Sequence, residues 1–270
     1  MTIQEFMGVG ENEKPLDRIV ADGGFCGIFR RIACIGDSLS SGEFESVKPD
    51  GTKRYHDFYE YSWGQYIARS SGSTVYNFSK GGMTAREYNS FAKSNGFYND
   101  EYKAQAYVVA LGVNDISSVI RGEMEFGDEN DVDLSDYAKN RPTFTGYYAS
   151  IIARYKQIQP KAKFFLVTIP RSHTSTPERI EYYEKHARFL HFLAEKFDNC
   201  YVIDLREYAP LYDAEFKENF FLGGHMNAAG YRLTALFVES YIDYIIRNNP
   251  KDFTQIGFVG TPFHNANDKW

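Results

Sequence analysis

The chain has 270 residues, 43% hydrophobic and 24% charged, with a net charge of −6. That size and balance suit a globular protein with a sizeable core. With no long run of Lys or Arg, it carries neither the cationic footprint of a nucleic-acid binder nor a polybasic membrane patch. No stretch approaches the ~20 apolar residues of a membrane-spanning helix. The acidic opening segment MTIQEFMGVGENEKPLDR lacks the apolar stretch of a secretory signal. Cys26, Cys34 and Cys200 are odd in number and widely separated. Buried free thiols and a cytoplasmic location are therefore expected.

Along the chain, short apolar runs alternate with longer helical periods. Strands are expected at Arg31–Ile35, Thr74–Asn77 and Ala106–Leu111. A helix over Thr143–Gln157 follows, ending before Pro160, and then strand Lys163–Ile169. The clearest helix begins at Thr176, a capping residue followed by Pro177 at the first helical position and Glu178 in the first turn. Its Ile180, Tyr183, Ala187, Leu190, Ala194 and Phe197 recur at three- and four-residue steps and make one apolar face. Strand Tyr201–Asp204 and a helix over Asn227–Arg247, stopping before Pro250, complete the series. This alternation predicts an α/β fold, a three-layer αβα sandwich with a five-stranded parallel sheet covered on both faces. One domain is expected over residues 1–270, with segments 1–29 and 250–270 as peripheral additions.

In such sheets the ligand site lies beyond the carboxyl ends of the strands, which is where the chemistry-bearing residues fall. The first strand runs into Gly36-Asp37-Ser38-Leu39-Ser40, placing a serine at the sheet edge. A serine hydroxyl becomes a useful nucleophile only with a base and an oxyanion site. The second strand leads to Lys80-Gly81-Gly82-Met83, whose glycines let a backbone N–H approach a ligand closely. The third leads to Gly112-Val113-Asn114-Asp115, which offers a side-chain amide. Late in the chain, Gly223-Gly224-His225-Met226-Asn227 supplies an imidazole suited to general-base work near neutrality.

Together these motifs resemble the SGNH, or GDSL, hydrolase superfamily, whose four defining residue types fall in order on Ser38, Gly82, Asn114 and His225. The resemblance spans the alternating body, from about Arg30 to Arg247. It implies a flavodoxin-like sheet and no metal or organic cofactor. It also implies that Ser38 attacks an acyl carbonyl while its N–H, the Gly82 N–H and the Asn114 amide hold the oxyanion. His225 would take the serine proton and pass it to the leaving alcohol. Many members remove acetyl or other short acyl groups from carbohydrates; others act on lysophospholipids or thioesters. The leading expectation is a short-acyl ester hydrolase with an acetylated carbohydrate as substrate. A longer-chain esterase or lysophospholipase, and a non-catalytic carbohydrate-binding member of the fold, are the alternatives.

One position departs from the pattern. Many members place an Asp three residues before the histidine, where this chain has Leu222. A main-chain carbonyl near Leu222, leaving a Ser–His dyad, is the favoured replacement, because an orienting acceptor need not be charged. Carboxylates from Asp204, Asp213, Glu215 or Glu218 are the alternatives, as is an impaired enzyme. The aromatic stretch Tyr55 to Trp63, with His56 inside it, either walls the pocket, Tyr61 or Trp63 stacking on a sugar, or packs over the first helix. Arg171 and His173 either reach the pocket mouth or are ordinary loop residues. His186 and His191, five apart on one helix, do not share a face and make a poor metal pair.

Overall fold

The apolar runs become the strands of one parallel sheet. The computed structural model describes residues 2–266, so Met1 and the final four residues of the tail expected over 250–270 lie outside the described residues. The strands are β1 (Arg31–Gly36), β2 (Glu43–Val47), β3 (Lys53–Asp57), β4 (Thr74–Ser79), β5 (Ala106–Ala110), β6 (Lys163–Val167), β7 (Cys200–Ile203), β8 (Phe221–Leu222) and β9 (His225–Met226). The helices are α1 (Ile3–Phe6), α2 (Ser38–Ser41), α3 (Trp63–Ser71), α4 (Ala85–Ser94), α5 (Val113–Ile120), α6 (Phe144–Ile158), α7 (Pro177–Lys196), α8 (Leu205–Tyr208), α9 (Ala214–Phe220) and α10 (Ala228–Asn248).

The five-stranded sheet has the order β4-β1-β5-β6-β7, every neighbouring pair parallel. Alternation along β1 explains the three layers. Ile32 and Cys34 join a core with residues of α3 and α10. Ala33 and Ile35 point the other way, into a core shared with α4, α6 and α7. The helix starts follow the capping residues. Thr143, Thr176 and Asn227 accept backbone N–H bonds from Gly146, Arg179 and Gly230, and Pro177 opens α7.

Both flanking segments pack on α10. Val20 N–H donates to Ser240 Oγ at 3.0 Å, and Phe25 N–H to Asp243 Oδ1 at 2.9 Å. Buried Arg247 pairs with Asp243 at 2.7 Å and with Glu13 at 2.6 Å. Phe253, Ile256 and Val259 enter the same core. All three cysteines are free and buried. Among the described residues, no helix is long and apolar enough to cross a membrane.

Two hairpins have no counterpart among the strands expected from the sequence. The antiparallel hairpin β2–β3 pairs Glu43 with Asp57 and Val47 with Lys53 directly after the Ser38 loop. The two-residue hairpin β8–β9 pairs Leu222 with His225.

Candidate active site

The sheet register delivers three loops to one edge. Gly36, Ser79 and Ala110 are level across β1, β4 and β5. Ser38, Gly82 and Asn114 stand two, three and four residues beyond those aligned ends. Gly36 has to be small, because an added Cβ would lie 2.1 Å from Ser40 Oγ, where α2 folds back over the strand. Asp37 caps α2 through Leu39 N–H at 3.0 Å, leaving Ser38 half-buried at its first position.

Asn114 ties the loops together. Its Nδ2 lies 3.2 Å from the Met83 carbonyl oxygen, beside Gly82, and 3.4 Å from Asp37 Oδ2, beside Ser38. Asp115, fully buried, accepts the Ala85 N–H at 2.9 Å and holds the start of α4 against α5. Burial pushes the Asp115 carboxyl up to about 7 and the Asp37 carboxyl up to about 6. Gly82 is exposed with φ +73° and no atom within 4 Å of an added Cβ. Among the described residues, the Ser38 and Gly82 N–H groups make no hydrogen bond to protein. They are free to meet a ligand oxygen.

His225, on β9, lies beside α2 and β2. The Ser38 hydroxyl makes no hydrogen bond to its ring here; ligand-free sites of this kind are often loose. Carboxylates surround the imidazole instead. Glu43 Oε1 is 3.1 Å from Nε2 and Glu45 Oε2 is 3.8 Å from Nδ1, while the Tyr55 ring meets the imidazole edge-on at 5.4 Å. His225 Nδ1 is buried without a hydrogen-bond partner, so the main-chain acceptor expected near Leu222 is not there.

Nor do the four alternative carboxylates pair with this ring. Asp204 pairs with His191 at 2.9 Å and caps α8. Asp213 caps α9, and Glu215 and Glu218 are exposed on that helix. Leu222 is 47% exposed. Glu43 and Glu45 escaped the sequence reading because they belong to a hairpin with no apolar alternation.

The other candidates separate cleanly. Tyr55, Phe58, Tyr59 and Tyr61 are exposed. Trp63 is buried, with its Nε1–H donating to Ser40 Oγ at 3.3 Å, so it is no sugar platform. His56 Nε2 lies 2.8 Å from Ser46 Oγ across the β2–β3 hairpin, and His173 Nδ1 lies 2.8 Å from the Tyr212 carbonyl oxygen. Buried His186 bonds the Leu111 carbonyl oxygen through Nε2 at 3.0 Å, supporting the turn at Gly112 that precedes Asn114. Gly112 is required there, since an added Cβ would lie 2.6 Å from His186 Nε2.

A cavity of about 360 Å³ opens beside the nucleophile loop. Asp37, Leu39 and Ser40 form one wall, Val113, Val167 and Ile169 another, and Tyr212, Phe221 and Met226 close it on the side of the last hairpin. Its lining is mostly apolar, with Arg179 and Lys217 among the polar residues.

The family model for the GDSL-like lipase/acylhydrolase family matches residues 34–233, well over half of the chain. The chain belongs to this family. As a GDSL-type protein it is a carboxylic ester hydrolase, with the α/β fold of its structural relatives. One is a carbohydrate esterase family 2 enzyme with a carbohydrate binding domain from Corynascus thermopiles (Myceliophthora fergusii). It is 16% identical with a TM-score of 0.56, over 80% of this chain and 66% of that one. A family two carbohydrate esterase from Clostridium thermocellum, in complex with cellohexaose, is 16% identical with a TM-score of 0.54, over 90% and 67% of the two chains. An acetyl xylan esterase is 18% identical with a TM-score of 0.50, over 78% and 99%. At these identities the likeness is one of fold. No curated protein matches the chain in sequence.

Proposed function

We propose that this GDSL hydrolase uses Ser38 and His225 to remove a short acyl group from a carbohydrate ester. The observation that carries the reading is the meeting of three strand ends at Asn114, whose amide touches the neighbours of both Ser38 and Gly82. A carbonyl oxygen placed there faces the two unpaired N–H groups and the Asn114 amide. Attack by Ser38 Oγ moves its proton to His225 Nε2 and builds a tetrahedral oxyanion stabilised by those donors. Collapse expels the alcohol, protonated by His225. Water, deprotonated by the same imidazole, then attacks the acyl-serine and releases the acid. Esterases acting on carbohydrates among the structural relatives support the sugar, as does the exposed ring of Tyr55 beside His225.

A fluorophosphonate tests the machinery. Labelling that maps to Ser38 and is lost in His225→Ala is the expected result; a folded, unlabelled protein overturns it. Acetylated xylo-oligosaccharides and p-nitrophenyl esters of rising chain length test the substrate. The apolar cavity beside Leu39 favours a second reading, a longer acyl chain, which activity rising with chain length would support.

A further inference from the structure

Strand periodicity puts Glu43 and Glu45 on the same side of β2, and that side meets His225. Glu45 is the more firmly built in. Its side chain is only 5% exposed and is held by Lys53 Nζ at 2.6 Å and by the Gly224 N–H at 3.0 Å. Gly223 makes room for it: its φ is +66°, and an added Cβ would fall 2.4 Å from Glu45 Oε1. The two glycines before His225 thus form a cradle for a carboxylate that enters from the other hairpin.

We propose that Glu45 is the positioning residue for His225, its carboxylate accepting from Nδ1 the proton that the residue at Leu222 cannot accept. This rests on the Ser38–His225 reading above. Three observations favour Glu45 over Glu43. Nδ1 is the nitrogen left buried and unpartnered, whereas Nε2, which faces Glu43, is the atom that must receive the Ser38 proton. Lys53 and the Gly224 N–H hold the Glu45 carboxyl below its ordinary range, so it is ionised, while burial raises Glu43. Glu43 also leans toward the oxyanion loop, where an added Gly81 Cβ would be 2.4 Å from its Oε2. A fixed negative charge there opposes an oxyanion rather than orienting a base. The separation of 3.8 Å at Nδ1 must shorten for that hydrogen bond to form.

Glu45→Gln keeps the size and one acceptor but removes the charge. It should lower kcat by about 10²- to 10⁴-fold with KM nearly constant. If Glu45→Gln fails to fold, Glu45→Asp against Glu45→Asn reads the same contrast, with the Asp variant at least about tenfold faster. Retention of kcat within about threefold would overturn the proposal, as would a loss that falls on Glu43→Gln instead. Ser38→Ala and His225→Ala run alongside. If they keep turnover, the Ser–His reading fails; if they abolish it while Glu45→Gln keeps it, only the role of Glu45 fails.

Discussion

The Asn114 amide reaches the Asp37 carboxylate across the ends of β5 and β1, 3.4 Å from Nδ2 to Oδ2. This contact joins the loop of the candidate nucleophile to that of the candidate oxyanion donor, so Asn114, proposed as a donor to the oxyanion, also ties the two loops together. Asn114→Ala should reduce kcat by about 10²- to 10³-fold, the usual cost of one oxyanion donor, with a smaller change in KM. Asn114→Asp should be at least as slow, since it sets a second carboxylate against Asp37. Steady-state kinetics on p-nitrophenyl acetate would check both; a loss confined to KM would point to ground-state binding instead.

Gly82 presents a different balance. With φ at +73° and no atom within 4 Å of an added Cβ, the only obstacle to a side chain is the backbone conformation. Gly82→Ala should therefore fold, at a cost of about 1–2 kcal/mol for the left-handed residue. Relief of that strain turns the peptide and swings its N–H out of line, so kcat should fall by more than the stability loss suggests. Thermal unfolding and turnover of the same preparation separate the two effects. A variant destabilised yet fully active would remove the Gly82 N–H from the oxyanion site.

The contrast between Ser38 and Glu45 shows what was legible in the sequence. Ser38, Gly82 and Asn114 each follow a buried strand at a glycine-marked turn, and parallel register then aligns them without further information. The five strands and the three capped helices were readable for the same local reasons. The hairpin β2–β3 was not. β3 is exposed throughout and β2 is half-buried or exposed, so neither strand shows the apolar alternation that burial imposes. Glu45 meets His225 across 180 positions of sequence, and no spacing rule anticipates such a pair. The one local trace was the Gly223-Gly224 pair before His225, whose missing side chains leave room for the Glu45 carboxylate. The sequence leaves open whether Trp63 faces a sugar or packs inward, for a related reason. Its neighbours Tyr59 and Tyr61 are exposed, but Ser62 starts α3 and turns the next residue inward.

Asp115 should give the protein a measurable pH signature. Its folded pKa, pushed up to about 7 by burial and by Asp37, lies above the value of an unfolded aspartate. Such a group favours the folded state fully below the unfolded pKa, near 4, and that contribution disappears as pH rises through about 7. Asp115→Asn keeps an acceptor for the Ala85 N–H but cannot ionise. The stability of the wild type relative to this variant should fall by up to about 4 kcal/mol between pH 4 and pH 8. Urea unfolding of both proteins across that range would reveal it. A difference independent of pH would mean that the Asp115 carboxyl ionises as freely in the folded chain as in the unfolded one.

The cavity beside Leu39 bears on acyl specificity. Each methylene that leaves water for an apolar wall stabilises by about 0.8 kcal/mol, about a fourfold gain in kcat/KM if it is held in the transition state. If the acyl chain enters here, lengthening it from acetate should raise kcat/KM step by step until the cavity of about 360 Å³ is filled. Ile169, two residues beyond β6, lines that cavity and belongs to none of the loops that carry Ser38, Gly82, Asn114 or His225, but its Cδ1 would lie 3.4 Å from a Cβ added at Gly112. Ile169→Trp should therefore occupy the space, and unchanged turnover of acetate is the control that the Asn114 loop has kept its place. The measurable quantity is the ratio of kcat/KM for octanoate to that for acetate, which should drop at least about tenfold. An acyl group that stays outside, with the sugar against Tyr55, predicts an unchanged ratio. The same substitution therefore decides whether the apolar wall selects the acid half of the ester or only supports the loop behind Ser38.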